Sequence, residues 1–102
     1  MKQIINGKLY NTETASYIGS NRSDCYRSDF HYFEEELYRK KTKEFFLYGE
    51  GGPASVYAEQ LSTGGCIEGA KIVPLTEEEA REWVERNLDA DEYIQIFGEC
   101  EE

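Results

Sequence analysis

The sequence predicts an α+β fold in which a small, mainly antiparallel sheet packs with C-terminal helices. Two observations favour this class: short aromatic and aliphatic runs separated by turn residues occupy residues 2–75, and a strong helix start follows at Thr76. The chain has 102 residues and shows no internal repeat or linker, so we expect a single domain over residues 1–102.

The first predicted element is a β-hairpin over residues 2–10. Its turn is Asn6-Gly7, a pair that readily adopts the two positive φ angles of a type I′ turn. After the hairpin, residues 12–18 predict a short helical turn that ends at Gly19, and the polar residues 20–28 predict a loop.

A second hairpin is predicted over residues 29–48. Residues 29–39 and 44–48 are rich in aromatic side chains, which favour strands, and residues 40–43 predict the loop between them. A loop of this length sets the register of the two strands. The predicted cross-strand pairs are Arg39 with Glu44, Tyr38 with Phe45, and Leu37 with Phe46.

Glycine and proline divide the segment that follows. Residues 49–53 predict the end of the strand, and a short helix is expected over residues 53–60. Gly64-Gly65 predicts another turn. A short strand is then predicted near residues 69–74, and Pro74 places its end at an edge or exit of the sheet, because proline cannot donate a ladder hydrogen bond.

The clearest predicted element is a helix over residues 76–88. Thr76 and Glu79 have the spacing of a capping box, and glutamates in the first turn suit the helix dipole. Apolar residues then recur at helical spacing and predict one buried stripe: Ala80, Trp83, Val84 and Leu88.

A last short helix is predicted over residues 91–97. Asp89 or Asp91 can serve as its N-cap, and Gly98 lies beyond its end. We expect its buried side to be formed by Tyr93, Ile94 and Phe97.

The cysteine and histidine content argues against several kinds of site. Cys25, Cys66 and Cys100 are odd in number and far apart, so we expect reduced thiols and no zinc site. His31 is the single histidine and lies in an aromatic run, which favours a structural role. The sequence therefore predicts no metal and no cofactor.

Charge is concentrated at the end of the chain. The net charge is −10, and residues 76–102 hold 11 acidic and 2 basic residues, whereas residues 1–75 hold 10 acidic and 9 basic. Such a chain should not bind nucleic acid or an anionic membrane nonspecifically and should favour a basic partner. With no membrane-length apolar run and no signal-peptide core, we expect a soluble, cytoplasmic protein.

The acidic segment has two open interpretations. It can be a solvated face that keeps the protein soluble, or a preformed surface that competes with nucleic acid for a basic groove. In the second interpretation the candidate partner-binding residues are Glu78, Glu82, Glu85, Asp89, Asp91 and Glu92.

Three other segments were candidates for chemistry. Residues 49–55 are glycine-rich but lack the lysine of a phosphate-binding loop, so they predict a turn. Residues 39–43 are the one basic cluster; they predict a solvated hairpin tip, with an acidic surface, RNA or a second copy as alternative contacts. Residues 34–36 supply carboxylates, but their spacing does not select catalysis.

Several segments, taken together, resemble a known family. They read IINGKLYNTETA, ELYR, FLYGEGGP, IVPLTEEEA and DADEY. The set is similar to small acidic proteins encoded on phages and conjugative elements of Firmicutes, among which some relatives are, or sit beside, anti-CRISPR proteins that inhibit the type II RNA-guided nuclease. The resemblance covers nearly the whole chain, although the related pattern often has Asp where Asn11 stands, and it implies no catalytic motif.

Charge and resemblance together lead to the hypothesis of a non-enzymatic anti-CRISPR protein. It would inhibit a type II CRISPR effector nuclease of the bacterial host by presenting an acidic, nucleic-acid-mimicking surface. One alternative is a protein-interaction module of a mobile element that acts on another host defence or regulatory protein. Another is a nuclease acting on guide RNA through Glu34, Glu36 or His31, with Arg39 and Lys41. A homodimer is open under each hypothesis.

Overall fold

The structure is a computed structural model that describes residues 1–26 and 29–99. Its helices and strands confirm the predicted α+β class. In chain order they are β1 (Lys2–Ile5), β2 (Lys8–Asn11), β3 (Ser16–Arg22), β4 (Phe33–Arg39), β5 (Phe45–Gly51), β6 (Glu59–Gln60), β7 (Cys66–Ile67), β8 (Gly69–Leu75), α1 (Glu77–Asn87) and α2 (Ala90–Phe97).

The main sheet is the middle layer of the molecule. It is antiparallel, with strand order β3-β4-β5-β8, while β1–β2 and β6–β7 form hairpins of their own. Alternate residues of β5 point to opposite faces. Phe45 and Leu47 pack against Trp83 and Val84 of α1, whereas Phe46 packs against Tyr10 of β2. The helices therefore cover one face and the β1–β2 hairpin covers part of the other.

The first hairpin is confirmed. Asn6 and Gly7 have φ angles of 52° and 78°, and Ile5 pairs with Lys8 across the turn. Both central residues thus adopt the positive φ that a type I′ turn requires.

The predicted helical turn over residues 12–18 is wrong, because Ser16 already belongs to the edge strand β3. A short turn does follow Asn11, whose side chain accepts a hydrogen bond from the Glu13 N–H at 3.0 Å and whose carbonyl accepts one from the Ala15 N–H at 3.1 Å. The chain then pairs with β4, and that long-range ladder outweighs a weak local helical signal.

The predicted loop over residues 20–28 is wrong at its start. β3 continues to Arg22, and the Ser23 N–H still donates to the Phe33 carbonyl at 3.0 Å. The end of the predicted loop, residues 27–28, lies outside the described residues.

The second hairpin is confirmed, but its register is wrong by one residue. The β4 strand starts later than predicted, at Phe33, and the loop is one residue longer because it includes Glu44. Lys43 adopts a φ of 76°, and the Lys40 N–H donates to the Glu44 carbonyl at 2.7 Å. The observed cross-strand pairs are Arg39 with Phe45, Tyr38 with Phe46, and Leu37 with Leu47.

The predicted strand break at residues 49–53 is wrong, because β5 continues to Gly51 and stays paired on both sides. Gly49 has a packing role: a Cβ there would overlap the ring of Tyr57, which is 4% exposed. The predicted helix over residues 53–60 is wrong too. Turns carry the chain back over the sheet to Tyr57 and β6, so no helix N-terminus follows the glycines.

The segment before the helices largely follows the prediction. Gly64 and Gly65 have φ angles of 95° and 83° and lie in the turn between β6 and β7. The short strand predicted near residues 69–74 is β8. It is an edge strand of the main sheet, which is where Pro74 is tolerated.

The predicted helices are also confirmed. Thr76 and Glu79 form the capping box, with hydrogen bonds of 2.9 and 3.1 Å between side chains and backbone N–H groups. Asp89 is the N-cap of α2. The predicted inner side of α2 is wrong at one position, because Ile94 is 43% exposed and Ile96 packs against the core instead.

We predict that Gly49→Ala destabilises the protein by about 1–3 kcal/mol, because the added methyl group must displace the buried ring of Tyr57. The matched control is Gly19→Ala, whose Cβ would lie 2.9 Å from the flexible end of Leu88 and should cost less. Urea unfolding of the two variants measures the difference. Equal stability of Gly49→Ala and the wild type would contradict the described packing of Tyr57.

Candidate functional site

The candidate site is an acidic ridge on α1, formed by Glu78, Glu82 and Glu85. All three side chains are exposed, whereas Trp83 and Val84 on the opposite side of the helix are buried. At about 100° per residue, the three glutamates fall within about 60° of one another on the helix. The sequence pattern thus places these carboxylates together, directly away from the core.

Of the two arginines of α1, Arg81 is engaged elsewhere, while Arg86 is exposed one turn after Glu82. Arg81 lies 3.5 Å from the Glu77 carboxylate, donates to the Tyr93 hydroxyl at 3.1 Å and stacks over the Phe97 ring at 4.7 Å. These contacts hold α1 against α2. Within residues 1–26 and 29–99, the three ridge carboxylates form no ion pair.

The other three predicted partner-binding residues lie beyond the ridge, at the start of α2. Asp89 accepts a hydrogen bond from the Glu92 N–H at 2.8 Å, so its carboxylate caps the helix. Asp91 is exposed in the first turn, and Glu92 is half-buried. The six predicted residues therefore form two groups. Three lie on the ridge of α1, and three lie at the start of α2, where the carboxylate of Asp89 has a structural role as the N-cap.

Glu35 fixes the position of α1 on the sheet. Its carboxylate accepts hydrogen bonds from the Trp83 indole N–H at 2.8 Å, from the Asn21 amide at 3.3 Å and from the Tyr57 hydroxyl. The donors come from α1, from the edge strand and from the segment between β5 and β6. One carboxylate therefore ties three parts of the fold together.

Sequence reasoning missed this role because Glu35 was grouped with its acidic neighbours as surface charge. A signal was present: with period-2 alternation, Glu35 shares the face of Leu37, which is fully buried. A carboxylate on that face needs hydrogen-bond donors, and Asn21, Tyr57 and Trp83 supply them.

The residues of the alternative nuclease hypothesis are not brought together. Glu34 and Glu36 point away from the helices and accept hydrogen bonds from the hydroxyls of Tyr32 and Tyr38. Arg39 lies on the opposite face, where its guanidinium stacks over the Phe45 ring at 5.3 Å.

The histidine lies in a separate turn. The His31 N–H donates to Asp29 at 2.7 Å, a hydrogen bond that lowers the pKa of the Asp29 carboxyl, and the imidazole lies 3.3 Å from the same oxygen. This pair is exposed at the surface, so the structural role predicted for His31 amounts to shaping a surface turn.

In the part of the chain that the structure describes, no three His, Cys, Asp or Glu side chains are grouped closely enough to hold a metal ion. Cys25 lies 3.1 Å from the Ser23 hydroxyl, and Cys66 is exposed. Cys100 lies outside the described residues. Neither α1 nor α2 has the length and apolar character that a membrane-crossing helix needs.

No protein family, curated protein or solved structure matches the chain. The charge of the ridge and its fixed position are therefore the features that bear on function.

We predict that Asp89→Ala destabilises the protein by about 1 kcal/mol, because it removes the side chain that caps α2. Asp91→Ala is the matched control, since it removes a carboxylate from the same turn without removing the cap. Thermal unfolding monitored by circular dichroism compares the two. A Tm for Asp89→Ala no lower than that of the control would reject the capping role.

The burial of Tyr57 can be tested by measuring the free energy of unfolding at alkaline pH. Burial, together with the hydrogen bond to Glu35, raises the pKa of the Tyr57 phenol well above its ordinary value. Above about pH 10 the phenol ionises in the unfolded chain but stays protonated in the folded one. The free energy of unfolding should therefore fall with rising pH, by at most about 1.4 kcal/mol per pH unit from this group.

The variant Tyr57→Phe should lose stability less steeply than the wild type between pH 10 and 12, with urea unfolding as the measurement. Tyr26→Phe removes a phenol that is 87% exposed and serves as the control, which should keep the wild-type slope. If both variants show that slope, the phenol of Tyr57 is not protected by the fold.

Proposed function

We propose that the protein is a non-enzymatic inhibitor that presents the ridge of α1 to a basic, nucleic-acid-binding groove of another protein. The observation that carries this proposal is the arrangement of Glu78, Glu82 and Glu85: three exposed carboxylates that form no ion pair with the described residues, on one side of a capped helix. Because the helix is packed against the sheet, its backbone needs no ordering when a partner binds, and only the glutamate side chains have to be ordered.

The spacing of the ridge suits phosphate-binding side chains. From Glu78 to Glu85 the helix rises about 10.5 Å, so neighbouring carboxylates are separated by about 5 Å along the axis. Duplex DNA has one charge per ~1.7 Å of axis, so the ridge is less densely charged than DNA. It can nevertheless occupy several lysine and arginine positions of a groove and compete with the nucleic acid for them.

The resemblance to phage and mobile-element proteins makes a type II CRISPR effector nuclease the first partner to test. Such an effector holds its guide–target heteroduplex in a positively charged channel, which is the kind of surface that the ridge complements. The chain's net charge of −10 would also speed its encounter with that channel.

The decisive variant reverses the ridge charges: Glu78→Lys, Glu82→Lys and Glu85→Lys together. Inhibition of DNA cleavage by a type II effector should be lost, whereas the Tm should stay within a few degrees because the side chains are exposed. Asp89 is left unchanged, since its cap would be lost. Inhibition by the wild-type chain should also weaken as salt rises from about 0.05 to 0.3 M.

The matched control reverses three exposed glutamates outside the ridge, Glu13, Glu59 and Glu68, and so changes the net charge equally. It should inhibit more strongly than the ridge variant. If the ridge variant inhibits as well as the wild type, the ridge is not the binding surface. If the wild type inhibits no cleavage but binds a different basic host protein through the ridge, the CRISPR partner is wrong and the interaction-module alternative is supported.

A further inference from the structure

A basic cleft lies on the opposite side of the sheet from the helices. It has a volume of about 380 Å³ and opens between the β1–β2 hairpin and the loop that joins β4 to β5. Its lining includes Lys8, Leu9, Ala15, Lys40, Lys41 and Glu44. On a chain of net charge −10, this concentration of lysines stands out as a region of opposite sign.

Two of the lysines are partly neutralised by Glu44. Its carboxylate lies 3.0 Å from the Lys8 ammonium and 3.4 Å from the Lys40 ammonium, and the Lys40 ammonium also lies over the Tyr10 ring at 4.3 Å. Lys41 is exposed and forms no ion pair with any described residue. The cleft therefore keeps a net positive charge, and Lys41 is its free cation.

The cleft also has an apolar edge. Leu9 is 51% exposed, and its cross-strand partner Ile4 is 70% exposed. Cross-strand neighbours on one face lie within contact distance, so these two side chains form a small apolar patch, of which Leu9 lines the cleft together with Lys41. A complementary surface would offer an aliphatic side chain next to a carboxylate.

The outer face of α2 offers this combination. Ile94 is 43% exposed, and Asp91 lies one helical turn before it. The helix Ala90–Phe97 itself contains no basic residue that would neutralise the aspartate. A free carboxylate and an aliphatic side chain are thus neighbours on a helix that the core leaves uncovered on this side.

One chain cannot bring these two surfaces together. Phe97 of α2 packs on Phe45, which points to the helix face of the sheet, whereas Ala15 of the cleft packs with Phe46 on the other face. The sheet lies between them. The α2 surface that complements the cleft must therefore come from a second copy of the chain.

We propose that the protein self-associates head to tail, with Ile94 of one copy against Leu9 of the next and Asp91 beside Lys41. Because the two surfaces differ, the contact is heterologous and leaves a free cleft at one end and a free α2 at the other. Association then continues beyond a dimer. The contact is small, so it should be weak and visible only at high protein concentration. The ridge of α1 takes no part in it.

Sedimentation equilibrium of the full chain tests the proposal. At about 0.1 M salt, where a Debye length of about 10 Å screens the repulsion between chains of net charge −10, the weight-average mass should rise steadily above 11.8 kDa with concentration. It should fall back at about 1 M salt, where the Debye length is about 3 Å. A mass that stays at 11.8 kDa up to millimolar protein, or one that levels off at a dimer, would overturn the proposal.

Mixing two variants tests the geometry. The cleft variant carries Leu9→Thr and Lys41→Gln, and the α2 variant carries Asp91→Asn and Ile94→Gln. Each should remain monomeric alone, because it retains only one of the two surfaces. An equimolar mixture should form a one-to-one complex and stop there, since only the intact cleft of one variant and the intact α2 of the other can pair. A monomeric mixture would contradict the head-to-tail contact.

A second pair of variants guards against altered folding. Lys41→Glu and Asp91→Lys each reverse one charge and should each reduce association. Mixing them should restore it, because each contact between the two variants then joins opposite charges, the native pair at one contact and the reversed pair at the next. Circular dichroism melting confirms that each variant is folded. The ridge variant Glu78→Gln with Glu82→Gln should associate as the wild type does, so failure of this proposal and failure of the proposed inhibitory function give different results.

Discussion

The hydrogen bonds of the Glu35 carboxylate determine how the layers of this protein sit on one another. A half-buried carboxylate on the core side of a sheet is costly unless donors satisfy it. Here two of the three donors are the indole of Trp83 and the hydroxyl of Tyr57, side chains of nearly fully buried residues. The helix and the segment before β6 are therefore held at defined positions on the sheet, where apolar packing alone would allow sliding.

The position of the ridge follows from that anchor. Trp83 fixes the rotation of α1, and the stripe of Ala80 and Val84 seals the same side, so the opposite side has to carry the solvent-facing residues. The contacts of Arg81 with Tyr93 and Phe97 then direct one of the two arginines of α1 toward α2. The position of the acidic surface thus depends on the contacts of Trp83 and Arg81 as well as on the glutamates themselves.

Structural features that depend on residues close together in the chain were predictable from the sequence. The Asn6-Gly7 turn, the Thr76–Glu79 capping box and the apolar stripe of α1 each depend on a few residues at fixed spacing, and each has the predicted form. The ridge residues of α1 were predicted by the same periodicity.

Features that depend on distant partners were not predictable in this way. The turn into β3 looked helical because its pairing with β4 is set by residues far along the chain. The glycines of β5 looked like a break because nothing nearby in the sequence shows that Tyr57 folds back onto Gly49. The hairpin register depended on the backbone of a single lysine, Lys43, whose positive φ lengthens the loop.

The outer strands of the main sheet limit how any other chain can attach to it. The β3 edge is interrupted by a bulge between Tyr17 and Gly19, and the β8 edge lacks an N–H at Pro74. Irregularities of this kind discourage strand-by-strand extension and fibril growth. A contact at the edges of the main sheet would therefore depend on side chains more than on added strands, and such a contact can change by point substitution without loss of the scaffold.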